Sequence, residues 1–133
     1  MFRRTKQLSP GGGDDERMAT MPGASSSAGS VRRNDEANRY ELTVDGRFVG
    51  LAAYLDRDGQ RVFYHTEIEK SFQGRGLGSA LVGAALADTR EDGKRVVGAC
   101  SLVAHYLDKQ PEFSDIADPV GPDIMRWLDN ALG

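Results

Sequence analysis

The residues with the clearest chemical potential form the glycine-rich stretch Gln73-Gly74-Arg75-Gly76-Leu77-Gly78, between a strand-like segment and an apolar, helix-like one. The first N–H groups of a helix have no partner inside the helix, and the helix dipole makes that end electropositive. Glycines remove the Cβ atoms that would keep a ligand from the backbone, and an arginine adds a forked cation. The stretch therefore predicts a diphosphate site.

Two other phosphate motifs fit this stretch less well. A P-loop ends in Gly-Lys followed by Ser or Thr, whereas Gly78 is followed by Ser79 and Ala80. The dinucleotide fingerprint counted from Gly74 and Gly76 needs its third glycine at Ser79, and it needs a βαβ unit. A structural alternative stays open, in which the glycines only let a strand and a helix pack closely.

Cys100 is the second candidate group, because it directly precedes the helix predicted from Ser101. A helix N-terminus favours the thiolate, which is the nucleophilic form of cysteine. The alternative is a small buried hydrophobic residue, as unpaired cysteines usually are. The two histidines, His65 and His105, are not in metal-ligand spacing with this cysteine or with each other, so we expect no metal site.

Hydrophobic periodicity predicts the elements that position these groups. The expected strands and helices are Tyr40–Val44, Phe48–Leu55 and Arg61–Ile68 as strands, then a helix over Gly76–Glu91, a strand over Arg95–Ala99, and helices over Ser101–Asp108 and Asp123–Leu132. Tight turns at Asp45-Gly46 and at 56–59 make the first three strands an antiparallel meander. The order predicts an α/β (α+β) fold with a mostly antiparallel sheet.

Composition indicates one domain with extensions at both ends. Residues 1–36 are rich in glycine and serine and predict a disordered tail, because such a composition buries too little apolar area to offset chain entropy. Residues 37–117 form the expected domain, and 118–133 form an extension with a short helix. We expect Trp127 to anchor that helix.

Charge and cysteine content exclude several classes of function. A net charge of −3 at pH 7 argues against nucleic acid or an anionic membrane as the main partner, because those surfaces select basic proteins. No apolar run approaches the roughly 18 residues of a membrane span, and no secretion signal is evident. The single cysteine excludes an internal disulfide and favours a reducing, cytoplasmic location. We expect a monomer or a weak dimer.

The glycine-rich stretch resembles the acyl-CoA pyrophosphate motif of the GNAT N-acetyltransferases, Gln/Arg-x-x-Gly-x-Gly/Ala. Residues 38–116 are also similar to the small YjdJ-type branch of that superfamily. The matching runs are His65-Thr66-Glu67-Ile68, Phe72 to Gly78, Arg90-x-x-Gly93, Val96-Val97, Cys100-Ser101 and Pro111-Glu112-Phe113. The resemblance implies a compact fold with a central CoA-binding helix, a second C-terminal helix and a cleft between two diverging strands.

The resemblance also implies site residues. Thr66, Glu67 and Ile68 would line the pantetheine arm of acetyl-CoA, the cosubstrate. Gln73, Gly74, Arg75, Gly76, Leu77 and Gly78 would hold its pyrophosphate. Glu67 would act as the base, with His65 on the same face of the strand, and Cys100 would lie beside the acetyl group as a candidate nucleophile. Each also has a purely structural interpretation.

The expected activity is therefore transfer of acetyl from acetyl-CoA to a primary amine of a small molecule or a protein lysine. Two departures favour an alternative, a non-catalytic acyl-CoA sensor or adaptor. The branch usually has a histidine where this chain has Gln110, and Asp45-Gly46 leaves no room for the two helices that usually wall the acceptor site. A plain structural domain without CoA binding is the third possibility.

Overall fold

The computed structural model describes residues 29–133. Its elements, in chain order, are β1 (Ser30–Asn34), β2 (Arg39–Val44), β3 (Arg47–Arg57), β4 (Gln60–Ile68), α1 (Leu77–Glu91), β5 (Arg95–Gly98), α2 (Ser101–Lys109), β6 (Ala117–Asp118) and α3 (Pro122–Leu132). Single 3-10 turns lie at Lys70–Phe72 and Pro111–Phe113. Each strand and helix expected from periodicity is present, with its ends shifted by a few residues at most.

The strands form one six-stranded sheet in the order β1-β2-β3-β4-β5-β6 across the described residues. The pairs β1/β2 and β3/β4 are antiparallel, whereas β5 and β6 continue the sheet in parallel. Ser30–Thr43 and Arg47–Gly133 belong to one compact unit. The Val44–Gly46 segment makes a tight turn in which Asp45 and Gly46 both have positive φ, as a type I′ hairpin turn requires. The predicted fold class is confirmed.

Helices cover both faces of the sheet. On one face, Tyr40, Tyr54 and Phe63 pack with ring centroids 5.4 to 6.0 Å apart, and the Tyr40 hydroxyl reaches Asp88 of α1. On the other face, Ile124 and Leu128 of α3 pack on Val62 and Val97. Successive strand residues point to opposite faces of the sheet. We call the face on which Val62 lies the α3 face, and the face on which Phe63 lies the α1/α2 face.

Strand β1 corrects one prediction. Residues 1–36 were expected to be disordered, and this is wrong for 30–34, which pair with β2 from Ser30↔Thr43 to Asn34↔Arg39. Residues 1–28 of that expected tail lie outside the described residues. Arg33 explains how so polar a segment is held, because its guanidinium bonds to both Asp88 and Asp92 at the end of α1. Strand β6 (Ala117–Asp118) crosses the predicted boundary between the domain, 37–117, and the extension with a short helix, 118–133.

A buried arginine joins the strands to α1 at the end of β4 remote from the glycine-rich stretch. Arg61 is 3% exposed and binds Asp56 with two nitrogens, at 2.8 and 3.1 Å. It also donates to the Tyr40 hydroxyl at 2.7 Å, and that hydroxyl donates to Asp88 at 2.7 Å. Burial and the Asp88 carboxylate raise the pKa of Tyr40 well above its usual range. The network is a structural clamp on α1.

The sequence runs around Arg90 and around Pro111 have a structural role. Arg90 donates to the Glu112 carbonyl at 2.7 Å, pairs with Asp115 at 2.9 Å and lies over the Phe113 ring at 5.3 Å. It thereby ties the end of α1 to the 3-10 turn at Pro111–Phe113. Gly93 has a φ of 72° where the chain leaves α1, a conformation that favours glycine.

Candidate functional site

Strands β4 and β5 separate where the site residues begin. Their parallel pairing runs from Gln60↔Arg95 to Phe63↔Gly98, and it ends with the Ala99 N–H bonded to the Phe63 carbonyl at 2.8 Å. Strand β4 continues to Ile68, whereas the segment that follows β5 turns away from it into α2. Beyond Phe63 the edge of β4 is therefore open to an extended ligand that can bond to strand backbone.

A β-bulge in β4 sets which side chains face the gap. Tyr54 pairs with Phe63 and Ala53 with His65, so Tyr64 is an extra residue between two consecutive pairs. Without it, Phe63, His65 and Glu67 would share a face. With it, His65 and Glu67 lie on the α3 face, and Thr66 joins Phe63 on the α1/α2 face.

Thr66 and Cys100 meet across the gap. The Thr66 Oγ1 and Cys100 Sγ atoms are 3.9 Å apart, and both residues are partly exposed. Cys100 is the N-cap of α2, with extended φ and ψ of −108° and 153°. The thiol thus lies beside the opening between β4 and β5, at the positive end of a helix dipole.

His65 and Glu67 form a pair on the opposite face. His65 Nε2 is 2.8 Å from Glu67 Oε2, and the two side chains are 52% and 64% exposed. Their expected common face is confirmed by this contact. The structure therefore divides the predicted reactive groups in two, with the thiol on the α1/α2 face and the carboxylate–imidazole pair on the α3 face.

The glycine-rich stretch forms an exposed loop that runs into α1. Gly74 and Gly76 have φ of 81° and 77°, and a Cβ added at either would meet no atom within 4 Å. Gln73 donates its side-chain amide to the Ile68 carbonyl at 3.0 Å, so it closes the loop onto the end of β4. Leu77 is 2% exposed, so its side chain belongs to the core and its backbone N–H remains at the helix start. This loop can present N–H groups to an anion.

Two cations lie over one aromatic ring at the edge of this loop. The guanidinium carbon of Arg75 is 4.7 Å from the Phe72 centroid, and that of Arg47 is 5.5 Å from it. Arg47 also donates to Glu69 at 2.5 Å. Sequence reasoning missed Arg47, since it begins a different strand and carries no local signal of its role.

The remaining candidates lie away from the gap. Gln110 caps the C-terminal end of the nine-residue helix α2, about 14 Å along the helix from Cys100. His105 is exposed in the middle of α2. Trp127 packs beside the α3 core cluster with Arg57 over its ring at 5.4 Å, as expected for an anchor of the last helix.

Within residues 29–133, the structure groups no three His, Cys, Asp or Glu side chains in a way that could hold a metal ion. In the same part of the chain, none of the helices has both the length and the apolar character needed to cross a membrane.

The profile of the GCN5-related N-acetyltransferase family matches residues 39–116, from β2 to the segment before β6. This range contains the gap, the glycine-rich loop and Cys100, whereas α3 lies beyond it. No curated protein sequence matches the chain significantly.

One solved structure is similar in fold, and two others match with lower scores. The solution structure of a GCN5-like protein from Staphylococcus aureus has a TM-score of 0.55 and 18% identity, over 71% of this chain and 93% of that one. The ribosomal-protein-S18-alanine N-acetyltransferase of Escherichia coli has a TM-score of 0.45 and 20% identity, over 53% and 48% of the two chains. An aminoglycoside acetyltransferase from an uncultured soil metagenomic sample has a TM-score of 0.42 and 18% identity, over 62% and 60%.

Proposed function

The chain belongs to the GCN5-related N-acetyltransferase family, and we propose that it transfers the acetyl group of acetyl-CoA to a primary amine. The observation that carries this proposal is the open edge of β4 beyond Phe63, which leads directly to the glycine-rich loop. An extended pantetheine arm fits the first feature and a diphosphate fits the second. The acceptor amine belongs to a small molecule or to a lysine of a protein.

In this proposal the loop binds the cosubstrate through backbone groups. The N–H groups of Gly74 to Gly78 face the pyrophosphate, and Arg75 adds a charge-assisted bond. Gln73 acts indirectly, because its side chain is engaged with the Ile68 carbonyl. Thr66, Glu67 and Ile68 offer the backbone of β4 to the pantetheine arm. This assignment places the thioester at the closed end of the gap, where β4 and β5 begin to separate, near Cys100.

Glu67 serves as the general base in the proposed reaction. An amine must be neutral to attack a thioester, and a nearby carboxylate can accept its proton. The 2.8 Å contact with His65 supplies a group that can pass this proton to solvent. Both side chains are well exposed, which allows a bulky acceptor to approach from the α3 face.

Cys100 is assigned as an acyl acceptor on the other face. Its thiolate attacks the thioester carbonyl, the carbon–sulfur bond to CoA breaks, and CoA leaves as its thiol after taking up a proton. An amine that approaches Glu67 from the α3 face then takes the acetyl group from acetyl-Cys100 through the gap between the strands, and the proton that the amine releases restores the thiol. Cys100 lies at the start of α2 beside the gap, and Thr66 lies close enough to orient its sulfur.

The alternative of a non-catalytic acyl-CoA sensor rests on two departures, Gln110 in place of a histidine and the missing wall helices. Gln110 lies at the far end of α2 from Cys100. A side chain at that distance does not contact Cys100. The absence of wall helices between β2 and β3, where only the Asp45-Gly46 turn intervenes, is equally compatible with a large or varied amine acceptor.

Thermal unfolding of the full chain with and without acetyl-CoA tests the proposal. A ligand that binds the native state raises the melting temperature by mass action. We expect a rise that saturates with acetyl-CoA, and release of free CoA when a mixture of primary amines is added. No rise at millimolar acetyl-CoA would overturn the proposal. A rise without release of CoA in any amine screen would restore the sensor.

A further inference from the structure

The Arg47, Phe72 and Arg75 side chains form a cluster that the proposed diphosphate site does not fully use. Both guanidinium carbons lie over the Phe72 ring, and they are at most about 10 Å apart, the sum of their 5.5 and 4.7 Å distances to its centroid. The Arg47 side chain is 61% exposed, and Arg75 is exposed as well. Two cations are thus held at the surface beside the loop.

A surface ion pair with Glu69 does not account for this arrangement. An exposed pair of this kind is typically worth no more than about 1 kcal/mol. Glu69 engages Arg47 through Oε2, which leaves other guanidinium N–H groups of Arg47 available to a ligand. Counting Lys70 with the two arginines against Glu69, positive charge remains in excess at this edge of the loop.

We propose that Arg47 is a further cofactor-binding residue and that Arg47 and Arg75 together bind the ribose 3′-phosphate of CoA. This inference rests on the proposed binding of acetyl-CoA. The backbone N–H groups of the loop and one bond from Arg75 serve the diphosphate, but the 3′-phosphate is a separate dianion that needs further donors. Arg47 and the remaining guanidinium N–H groups of Arg75 can supply them. Two arginine forks match a phosphate in both charge and geometry.

Phe72 gives the pair its position. The ring holds both guanidinium planes by cation–π contact, which lowers the conformational freedom lost when a phosphate binds. Glu69 adds a second tether on Arg47, and its backbone N–H bonds to the Val49 carbonyl at 2.7 Å, which fixes it beside the start of β3. Arg47 therefore stands at the loop edge although it is distant in sequence.

The test compares CoA with 3′-dephospho-CoA on the full chain by calorimetry. For the native sequence we expect CoA to bind more tightly. Arg47→Ala should weaken CoA binding about tenfold, which is about 1.4 kcal/mol, and leave 3′-dephospho-CoA nearly unchanged. Arg57→Ala is the matched control, because Arg57 lies over the Trp127 ring at the other end of the sheet. It should change neither affinity.

The outcomes are distinguishable. If the native chain binds neither ligand, the proposed function fails. If both bind and Arg47→Ala weakens them equally, or weakens neither, the 3′-phosphate assignment is overturned while the function stands. Glu69→Gln removes the ion pair with Arg47 but keeps the arginine itself, so it tests whether the ion pair alone matters. That variant should keep the preference for CoA over 3′-dephospho-CoA, and loss of the preference would also contradict the proposal.

Discussion

The Sγ of Cys100 lies 3.9 Å from the Oγ1 of Thr66, across the opening between β4 and β5. This contact joins the N-terminus of α2 to the strand that carries the proposed base. It depends on the extra residue Tyr64 in β4, which turns Thr66 towards the thiol. Chemistry at this point can therefore be tested by changing either side chain without changing the strand pairing.

The first prediction concerns the acetyl-cysteine step. Incubation of the full chain with acetyl-CoA should add one acetyl group by intact mass, and neutral hydroxylamine should remove it, as expected for a thioester. Cys100→Ala should abolish this adduct. Thr66→Val should slow its formation at least fivefold, because a hydrogen bond to the attacking sulfur is worth about 1 kcal/mol or more. An undiminished adduct in Cys100→Ala would exclude this residue as the acyl acceptor.

The second prediction concerns Glu67. Glu67→Gln should lower kcat by about a hundredfold or more, the usual contribution of a general base. Its affinity for acetyl-CoA should stay the same, because the strand backbone rather than the carboxylate contacts the pantetheine arm. Steady-state kinetics with an amine acceptor and calorimetry with acetyl-CoA give the two quantities. Glu91→Gln, at the exposed end of α1, is the control and should change neither. A normal kcat in Glu67→Gln would mean that Glu67 is not the general base.

The third prediction uses two glycines of the glycine-rich stretch that differ in backbone conformation, Gly76 at the end of the loop and Gly78 inside α1. Gly76→Ala should lower the free energy of unfolding by about 1–2 kcal/mol, because its φ of 77° is costly for residues with a Cβ. Gly78→Ala should be neutral or slightly stabilising, since its Cβ would make ordinary contacts with Leu102 at 3.6 Å and Ile68 at 3.9 Å. Urea unfolding of both variants checks this. Equal losses of unfolding free energy in the two variants would contradict the prediction, because they would mean that the positive φ of Gly76 is not what makes its replacement costly.

Much of this fold follows from local patterns. Alternation along β2 and β4, apolar spacing along α1 and the Asp45-Gly46 turn each determine an element without reference to distant residues. The glycine-rich loop is equally local, since its conformation depends on its own positive φ angles. The elements that position the site could therefore be predicted from the sequence.

The parts that could not be predicted depend on distant partners. Strand β1 is too polar to be recognised alone, and it is held by ion pairs between Arg33 and the end of α1. The bulge at Tyr64 has no turn residue to mark it, yet it decides the face on which Thr66 lies. Arg47 reaches Phe72 only because β3 and β4 are antiparallel neighbours.

The fourth prediction concerns the buried clamp around Arg61. Arg61→Met should lower the free energy of unfolding by about 3 kcal/mol, because it leaves Asp56 and the Tyr40 hydroxyl without their buried partner. The loss should lie at the low end of the usual range, since Asp56 is 38% exposed and can be hydrated. Affinity for acetyl-CoA, measured well below the melting temperature, should be retained because the clamp lies at the other end of β4. A fully stable variant would show that the network contributes little.

The fifth prediction is a pH dependence at β6. The Asp118 carboxylate accepts a bond from Gln60 at 2.8 Å and another from Arg95 at 2.9 Å. The Gln60 bond is the main cause that lowers the pKa of Asp118, and the Arg95 contact adds to it against the effect of burial. The native state therefore binds this proton less tightly than the unfolded chain does. Its stabilising contribution is complete above the unfolded pKa of about 3.9 and is lost as pH falls through the native value.

Urea unfolding between pH 3 and 7 should show this dependence. The native chain should be more stable than Asp118→Asn at pH 6, and the difference should shrink below about pH 4 as the carboxylate is protonated. Asp58→Asn is the control, because the Asp58 side chain is 89% exposed and its ion pair with Arg57 is long, with 3.8 Å between Nε and Oδ2. It should show no comparable change. A difference for Asp118→Asn that stays constant over this range would mean that the hydrogen bonds, and not the charge of Asp118, hold β6 to the sheet.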